Sequence, residues 1–231
     1  MGFITDSLRE ALALILAGDR EVFSAVLTSL NVAVWSVIFA SIGGVPVGIA
    51  VALGKFPMMG AIRVLLNSLM AMPTVVVGLV VYGFLSRMGP FGSLGLLFTP
   101  QAIIIGETVL AMPVVANYTL AAIQGADQRI LPTALTLGAS RFQSLCQLTR
   151  EVRFGVVAAI IAGFGRVIAE VGVAMMLGGN IRFLTRTMTT AIALETSKGE
   201  FAFGLALGVI LMSVSLAVNI FLTLAQESHS A

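Results

Sequence analysis

Residues 26–53 read VLTSLNVAVWSVIFASIGGVPVGIAVAL, 28 consecutive positions without a charged side chain. A helix needs roughly 20 predominantly apolar residues to cross the hydrocarbon of a bilayer. This stretch is long enough to do so, and in water it would expose apolar surface on nearly every face. Four more runs of the same character follow at 62–85, 102–123, 156–177 and 202–224, and the segments between them hold nearly all the charge. The pattern predicts an all-α integral membrane protein with about five transmembrane helices. Composition agrees: 58 % of the 231 residues are hydrophobic and 10 % are charged, with a mean hydropathy of +1.04, whereas soluble domains carry about 25 % charged residues.

Ahead of the first run, residues 3–17 place Ile4, Leu8, Ala11, Leu12 and Ile15 on one helical face, with Asp6, Arg9 and Glu10 elsewhere and Gly18-Asp19 as a stop. Residues 1–25 therefore read as an amphipathic segment on the membrane surface, 26–224 as the transmembrane domain and 225–231 as a polar tail. A basic n-region with a small-residue cleavage site is not seen, so no removable signal peptide is expected. Trp35, Tyr82 and Tyr118 fall toward span ends, where amphipathic rings suit the headgroup level. Orientation is not decided by charge. Lys55, Arg63, Arg129, Arg141, Arg150 and Arg153 would face one side and Arg9, Arg20, Arg87, Arg182, Arg186 and Lys198 the other.

Several functional classes are disfavoured at this point. The net charge of +2 comes from scattered Lys and Arg without a basic run, so nucleic acid is not an expected partner. One cysteine, Cys146, and one histidine, His229 in the tail, exclude an intramolecular disulfide and leave almost no ligands for a metal. The same scarcity disfavours a membrane enzyme. The chain also has no Gly-x-x-x-x-Gly-Lys-Ser/Thr phosphate loop, so ATP hydrolysis by that route would need another polypeptide. A self-sufficient carrier or channel is the rival class, but apart from two Ala-Met-Pro segments the inverted repeats or dense midplane acids it predicts are not evident.

Proline recurs inside the spans as Ala71-Met72-Pro73 and Ala111-Met112-Pro113, forty residues apart. Each removes a backbone donor and is expected to kink its helix. The pair reads either as two bent helices beside a translocation path or as ordinary proline usage in membrane helices.

The longest polar interruption is 124–155. In it Ala134-Leu-Thr-Leu137-Gly138-Ala139-Ser140 reads as a short helix reaching a glycine turn. Phe142, Leu145, Leu148 and Val152 then recur at helical spacing. This loop resembles the signature of type I ABC importer permeases: Glu-Ala-Ala, three residues, Gly, and later Ile-x-Leu-Pro. Ala134 and Gly138 hold the second Ala and the Gly. Pro132 and Thr133 replace the Glu and first Ala, and Leu148-Thr149-Arg150-Glu151 replaces the Ile-x-Leu-Pro end. The resemblance implies that Ala134, Leu137, Gly138, Ala139, Ser140 and Arg141 form a cytoplasmic coupling helix between spans three and four that seats in an ATPase subunit. It also implies an extracytoplasmic N-terminus and a cytoplasmic C-terminus.

Charges within spans are costly and are functional candidates by default. Glu107 lies in the third span, and Arg166 and Glu170 share a face of the fourth at four-residue spacing. If the two helices are antiparallel neighbours, Glu107 sits roughly 9 Å below its span end and Glu170 at similar depth, with Arg166 as counter-charge. The cluster reads as a gate or as an ion pair that orders the bundle. Farther on, Gly178, Gly179, Asn180, Thr185, Arg186 and Thr187 supply amides, hydroxyls and a guanidinium suited to a tetrahedral oxyanion, or else a loop that packs or docks.

The stretch 165–200, with Ala-Glu-Val-Gly, Gly-Gly-Asn and Thr-Arg-Thr in order, resembles the molybdate and tungstate branch of these permeases, and 193–199 looks like its tungstate members. That resemblance implies a non-catalytic permease in a bacterial or archaeal cell (inner) membrane. It would form a homodimer with two ATP-binding subunits below, which hold ATP and Mg, and an extracytoplasmic oxyanion-binding protein above. The expected cargo is tungstate, with molybdate, sulfate or phosphate as the alternatives.

Overall fold

The computed structural model describes residues 2–54, 58–127 and 129–227, with residues 2–4 and 221–227 as backbone only; Lys55 and His229 lie outside these ranges. Among the described residues the chain forms α1 (Gly2–Leu16), α2 (Arg20–Leu53), α3 (Met59–Met70), α4 (Thr74–Leu85), α5 (Pro100–Gln124) and α6 (Ile130–Thr136). These are followed by α7 (Arg141–Glu151), α8 (Arg153–Ile168), α9 (Gly172–Gly178), α10 (Met188–Lys198) and α11 (Phe201–Glu227). The all-α membrane architecture expected from the sequence is what the chain adopts. Helices α2, α5 and α11 are each long and apolar enough to span alone. Two further spans require the bent pairs α3–α4, with 95° between them, and α8–α9, with 62°.

Packing against α5 shows that each bent pair crosses as a unit. Ser36 meets Ile104 and Glu107, Gly44 meets Met112, and Gly48 meets Ala116, so α2 and α5 run parallel. A chain that ends α2 at one surface and begins α5 at the other must cross back between them, and α3–α4 does so. Asn67 touches Asn117 low on α5, Gly78 touches α9 at Val173 and Met176, and Tyr82 meets Phe98 just before α5 begins. Helices α8 and α9 in turn track α5 in reverse: Gly155 lies on Ala122, Gly163 on Val115, and Gly178 on Ile103. Five crossings result, and the third and fourth are antiparallel neighbours.

Helix α5 is the centre of the bundle, with Ala102, Ile103, Ala111, Val115 and Ala116 buried. Close approach by α2 depends on Gly48, where an added Cβ would stand 2.5 Å from the Ala116 carbonyl. The first span starts earlier than the apolar run, because Asp19 caps α2 by accepting hydrogen bonds from the Glu21 and Val22 amides at 2.9 and 3.0 Å. Helix α1 packs along α11, with Ser7 and Ala11 buried and Leu8, Leu12 and Leu16 exposed.

The two prolines behave differently. At Pro73 the helix stops and restarts, with Pro73 in extended conformation (ψ 125°) as the residue before α4. Pro113 sits inside an unbroken α5. The helix is interrupted only at the first. Ala71, Met72 and Pro73 are exposed, while Pro113 lies between buried Ala111 and Val115, where packing from α2 and α8 holds the helix through the missing hydrogen bond. The second break falls at Glu170, which no proline marks.

Candidate functional site

The two breaks meet. An added Cβ at Gly172 would lie 2.9 Å from Thr74 Oγ1, so the first residue of α9 is pressed against the first residue of α4. Irregular backbone at membrane depth persists where protein satisfies its polar groups, and Glu170 does this for α9. Its Oε1 accepts from the Gly172 and Val173 amides at 2.8 and 3.2 Å, while Arg166 Nη1 lies 3.1 Å from Oε2. The Glu170 carbonyl accepts from Thr189 Oγ1 at 2.6 Å, which ties the break to α10. The expected Arg166–Glu170 pair is present; the Arg166 side chain remains 33 % exposed.

Glu107 does not join that pair. It is buried and takes the Ser36 hydroxyl, 3.3 Å from Oε2, on the α2 side of α5. Thr108 Oγ1 donates to the Ile104 carbonyl at 2.7 Å beside it. The sequence offered Arg166 as counter-charge for one or both acids; it serves one.

The segment offered as oxyanion donors is engaged within the subunit. Gly179 closes α9 with φ +68°, its amide donating to Met175 O at 3.0 Å. Gly178 is walled by Ile103 and Thr185. Thr185 Oγ1 donates to Gly178 O at 2.5 Å and accepts from the Ile181 amide at 3.0 Å. Asn180 Nδ2 donates to Thr190 O at 3.4 Å. Thr187 caps α10 in a reciprocal box with Thr190, and the adjacent Met188 amide donates to Ser29 Oγ at 2.7 Å.

Arg186, only 8 % exposed, pairs with Glu21 at the start of α2 and with Glu195 on α10, the latter at 3.3 Å. Arg182 meets Glu21 at 2.9 Å and Lys198 meets Glu195 at 3.0 Å. Short hydroxyl and guanidinium donors in a row suit an oxyanion, and they suit helix caps and buried carboxylates equally; in this chain Thr187 caps α10 and Arg186 binds Glu21 and Glu195, with its Nε unpartnered. Sequence reading missed α10, the glutamates that claim Arg186, and the break after Ala169. The signals were Thr187 three residues before Thr190, Gly199 as a helix stop, and Glu170 two residues before Gly172.

At the opposite end, α6 ends at Thr136 and Gly138 turns the chain with φ +88°, open space surrounding it. Ser140 then caps α7, accepting from the Gln143 amide at 3.3 Å while Gln143 Oε1 accepts from the Ser140 amide at 2.7 Å. Leu148 and Val152 anchor α7 to Ile123, whereas Leu137 at 83 % and Phe142 at 76 % stand exposed around the tip. At the approach to α6, Arg129 Nη2 pairs with Asp127 Oδ2 at 3.1 Å, and its donated hydrogen bonds hold the Asp127 carboxyl below its usual range.

Comparison with known proteins adds what one subunit cannot. A family model described as the binding-protein-dependent transport system inner membrane component matches residues 44–228. The tungstate uptake system permease protein TupB of Campylobacter jejuni is 36 % identical over 95 % of this chain and 92 % of its own length. The protein of the same name from Peptoclostridium acidaminophilum is 34 % identical over 98 % of this chain and all of its own. Among solved structures, a chain of a bacterial alginate ABC transporter, crystallised with an alginate-bound periplasmic protein, superposes with a TM-score of 0.68. It is 18 % identical, covering 90 % of this chain and 79 % of that one, a likeness of fold.

Proposed function

The chain belongs to the family of binding-protein-dependent transport system inner membrane components, and from that premise we propose that it is the permease of an ATP-driven importer whose cargo is tungstate. The observation that carries this reading is the 36 % identity to a tungstate permease along nearly the whole chain. Molybdate, sulfate and phosphate share the tetrahedral geometry and are the competitors to test.

In this reading two copies enclose the path. The exposed tip around Leu137 and Gly138, with Ala134, Ala139, Ser140 and Arg141, seats in an ATPase subunit that holds ATP and Mg. A glycine in open space suits close approach by another backbone. The tip then faces the cytoplasm, the start of α2 and the loop 179–187 face outward, and an oxyanion-binding protein delivers cargo there. The described donors of 178–187 act as a frame that fixes α9 and α10.

The gate is assigned to Arg166, Glu170 and the facing breaks at Pro73 and Gly172. Arg166 has five N–H donors, and its partly exposed guanidinium offers the unused ones to a passing anion. A brief exchange of Glu170 for the ion keeps binding weak enough for release.

Reconstitution tests the reading. Proteoliposomes holding this chain with its ATPase and binding protein are expected to accumulate tungstate only with ATP, and sulfate is expected not to compete. Sulfate competing on equal terms would overturn the cargo assignment. ATP-independent uptake by this chain alone would overturn the motor.

A further inference from the structure

A groove of about 900 Å³ opens where α2 leaves the membrane and α8 re-enters it. One wall is the last two turns of α2, with Pro46, Ile49 and Leu53; the other is α7, with Phe142, Leu145 and Thr149. Arg150 and Arg153 close the groove at its end. Neither makes an ion pair among the described residues, although the other cations on α8 to α10 (Arg166, Arg182, Arg186 and Lys198) all do. Arg153 instead lies 4.7 Å over the Phe154 ring. An apolar trough at a span terminus, with two guanidiniums uncompensated at its mouth, has the charge and polarity order of a phospholipid: acyl chain inward, phosphate at the rim. Arginine forks match phosphate oxygens, and basic pockets between helices on the cytoplasmic side favour anionic headgroups.

We infer that this groove binds an anionic glycerophospholipid, its phosphate held by Arg150 and Arg153 and an acyl chain lying between α2 and α7. The lipid would thereby brace α7, the helix that follows the Gly138 turn. The inference rests on the proposed orientation, which puts this end of the bundle at the cytoplasmic side, and not on the cargo, so the two fail separately.

Cys146, the chain's single cysteine, lines the groove and is exposed, so a small fluorophore on it reports occupancy. The full chain is placed in phosphatidylcholine nanodiscs containing a minor fraction of brominated-acyl phosphatidylglycerol or, in parallel, brominated phosphatidylcholine. Quenching by the anionic lipid is expected to exceed that by the zwitterionic one by up to about thirtyfold, the scale set by two basic residues at an anionic surface. The preference should vanish in Arg150→Gln/Arg153→Gln and persist in Arg87→Gln, at the other end of the bundle.

Equal quenching by both lipids, or a preference that survives the double substitution, overturns the inference. So does displacement of the lipid by inorganic phosphate, which would mark a simple anion site, or a signal that responds only to a second copy or to the ATPase, which would mark a protein interface. Should the double variant fail to fold, native mass spectrometry of the unlabelled wild type decides: retention of phosphatidylglycerol over phosphatidylcholine supports the site, and equal retention ends it.

Discussion

Glu170 holds Arg166 with one carboxylate oxygen, 3.1 Å away, and the amides of Gly172 and Val173 with the other. One side chain thus joins the helix before the break to the helix after it. Glu107 does not share this duty, being hydrogen-bonded to Ser36 on the α2 side of α5.

Replacing Glu170 separates these two duties. Glu170→Ala leaves the amides and the guanidinium without a partner and is expected to cost about 3 kcal/mol in unfolding from mixed micelles. Glu170→Gln keeps an acceptor for the amides and should cost about 1 kcal/mol, since Arg166 is partly solvated. Equal losses for both would show that the cap contributes nothing.

Arg186 and Arg182 both meet Glu21 but in different surroundings. Arg186→Gln removes the buried cation between Glu21 and Glu195 and leaves them only their outer partners Arg182 and Lys198, so it should lower stability by about 1.5–3 kcal/mol. Arg182→Gln, at an exposed rim, should stay below about 1 kcal/mol. Thermal denaturation of the two variants side by side checks the order.

At the Gly138 tip, backbone and docking requirements can be told apart. Gly138 needs φ +88° and has free space around it; Asn tolerates that conformation better than Ala does. If the tip must approach a partner closely, Gly138→Asn and Gly138→Ala should both abolish ATP-coupled uptake while the chain still inserts. Normal coupling in Gly138→Asn alone would reduce the role of this glycine to its turn.

Gly48→Val tests the α2–α5 seam. The new Cβ would fall 2.5 Å from the Ala116 carbonyl and 2.8 Å from Thr119 Cβ, so the helices must part, at an expected cost of about 1–3 kcal/mol. Gly60→Val, where an added Cβ meets nothing within 4 Å, is the control, and a melting temperature shifted equally by both would refute the close approach.

The membrane class, the five crossings and the tip at Gly138 were legible because apolar length and a glycine between helical runs are local signals. The Arg166–Glu170 pair was legible for the same reason, being four residues apart on one helix. Pro73 and Pro113 share the same local triplet, yet only one breaks its helix; the difference lies in what surrounds each, which no neighbouring residue encodes. The partners of Arg186 were not legible: Glu21 is 165 positions away, and only the assembled bundle brings that carboxylate to the guanidinium. The partner of Glu107 was not legible because its serine comes from α2, a helix whose parallel alignment with α5 leaves no trace in spacing.

That parallel alignment also sets an order of events during synthesis. The face of α2 that carries Ser36, Gly44 and Gly48 finds its partners only at positions 104–119, after the chain has crossed back through α3 and α4. Until then the first helix must wait in the bilayer, or beside the insertion machinery, with its serine hydroxyl and its notch of bare backbone uncovered. A nascent chain stalled before residue 100 would therefore be the species most exposed to quality-control proteases, and it would gain protection in a single step when α5 emerges.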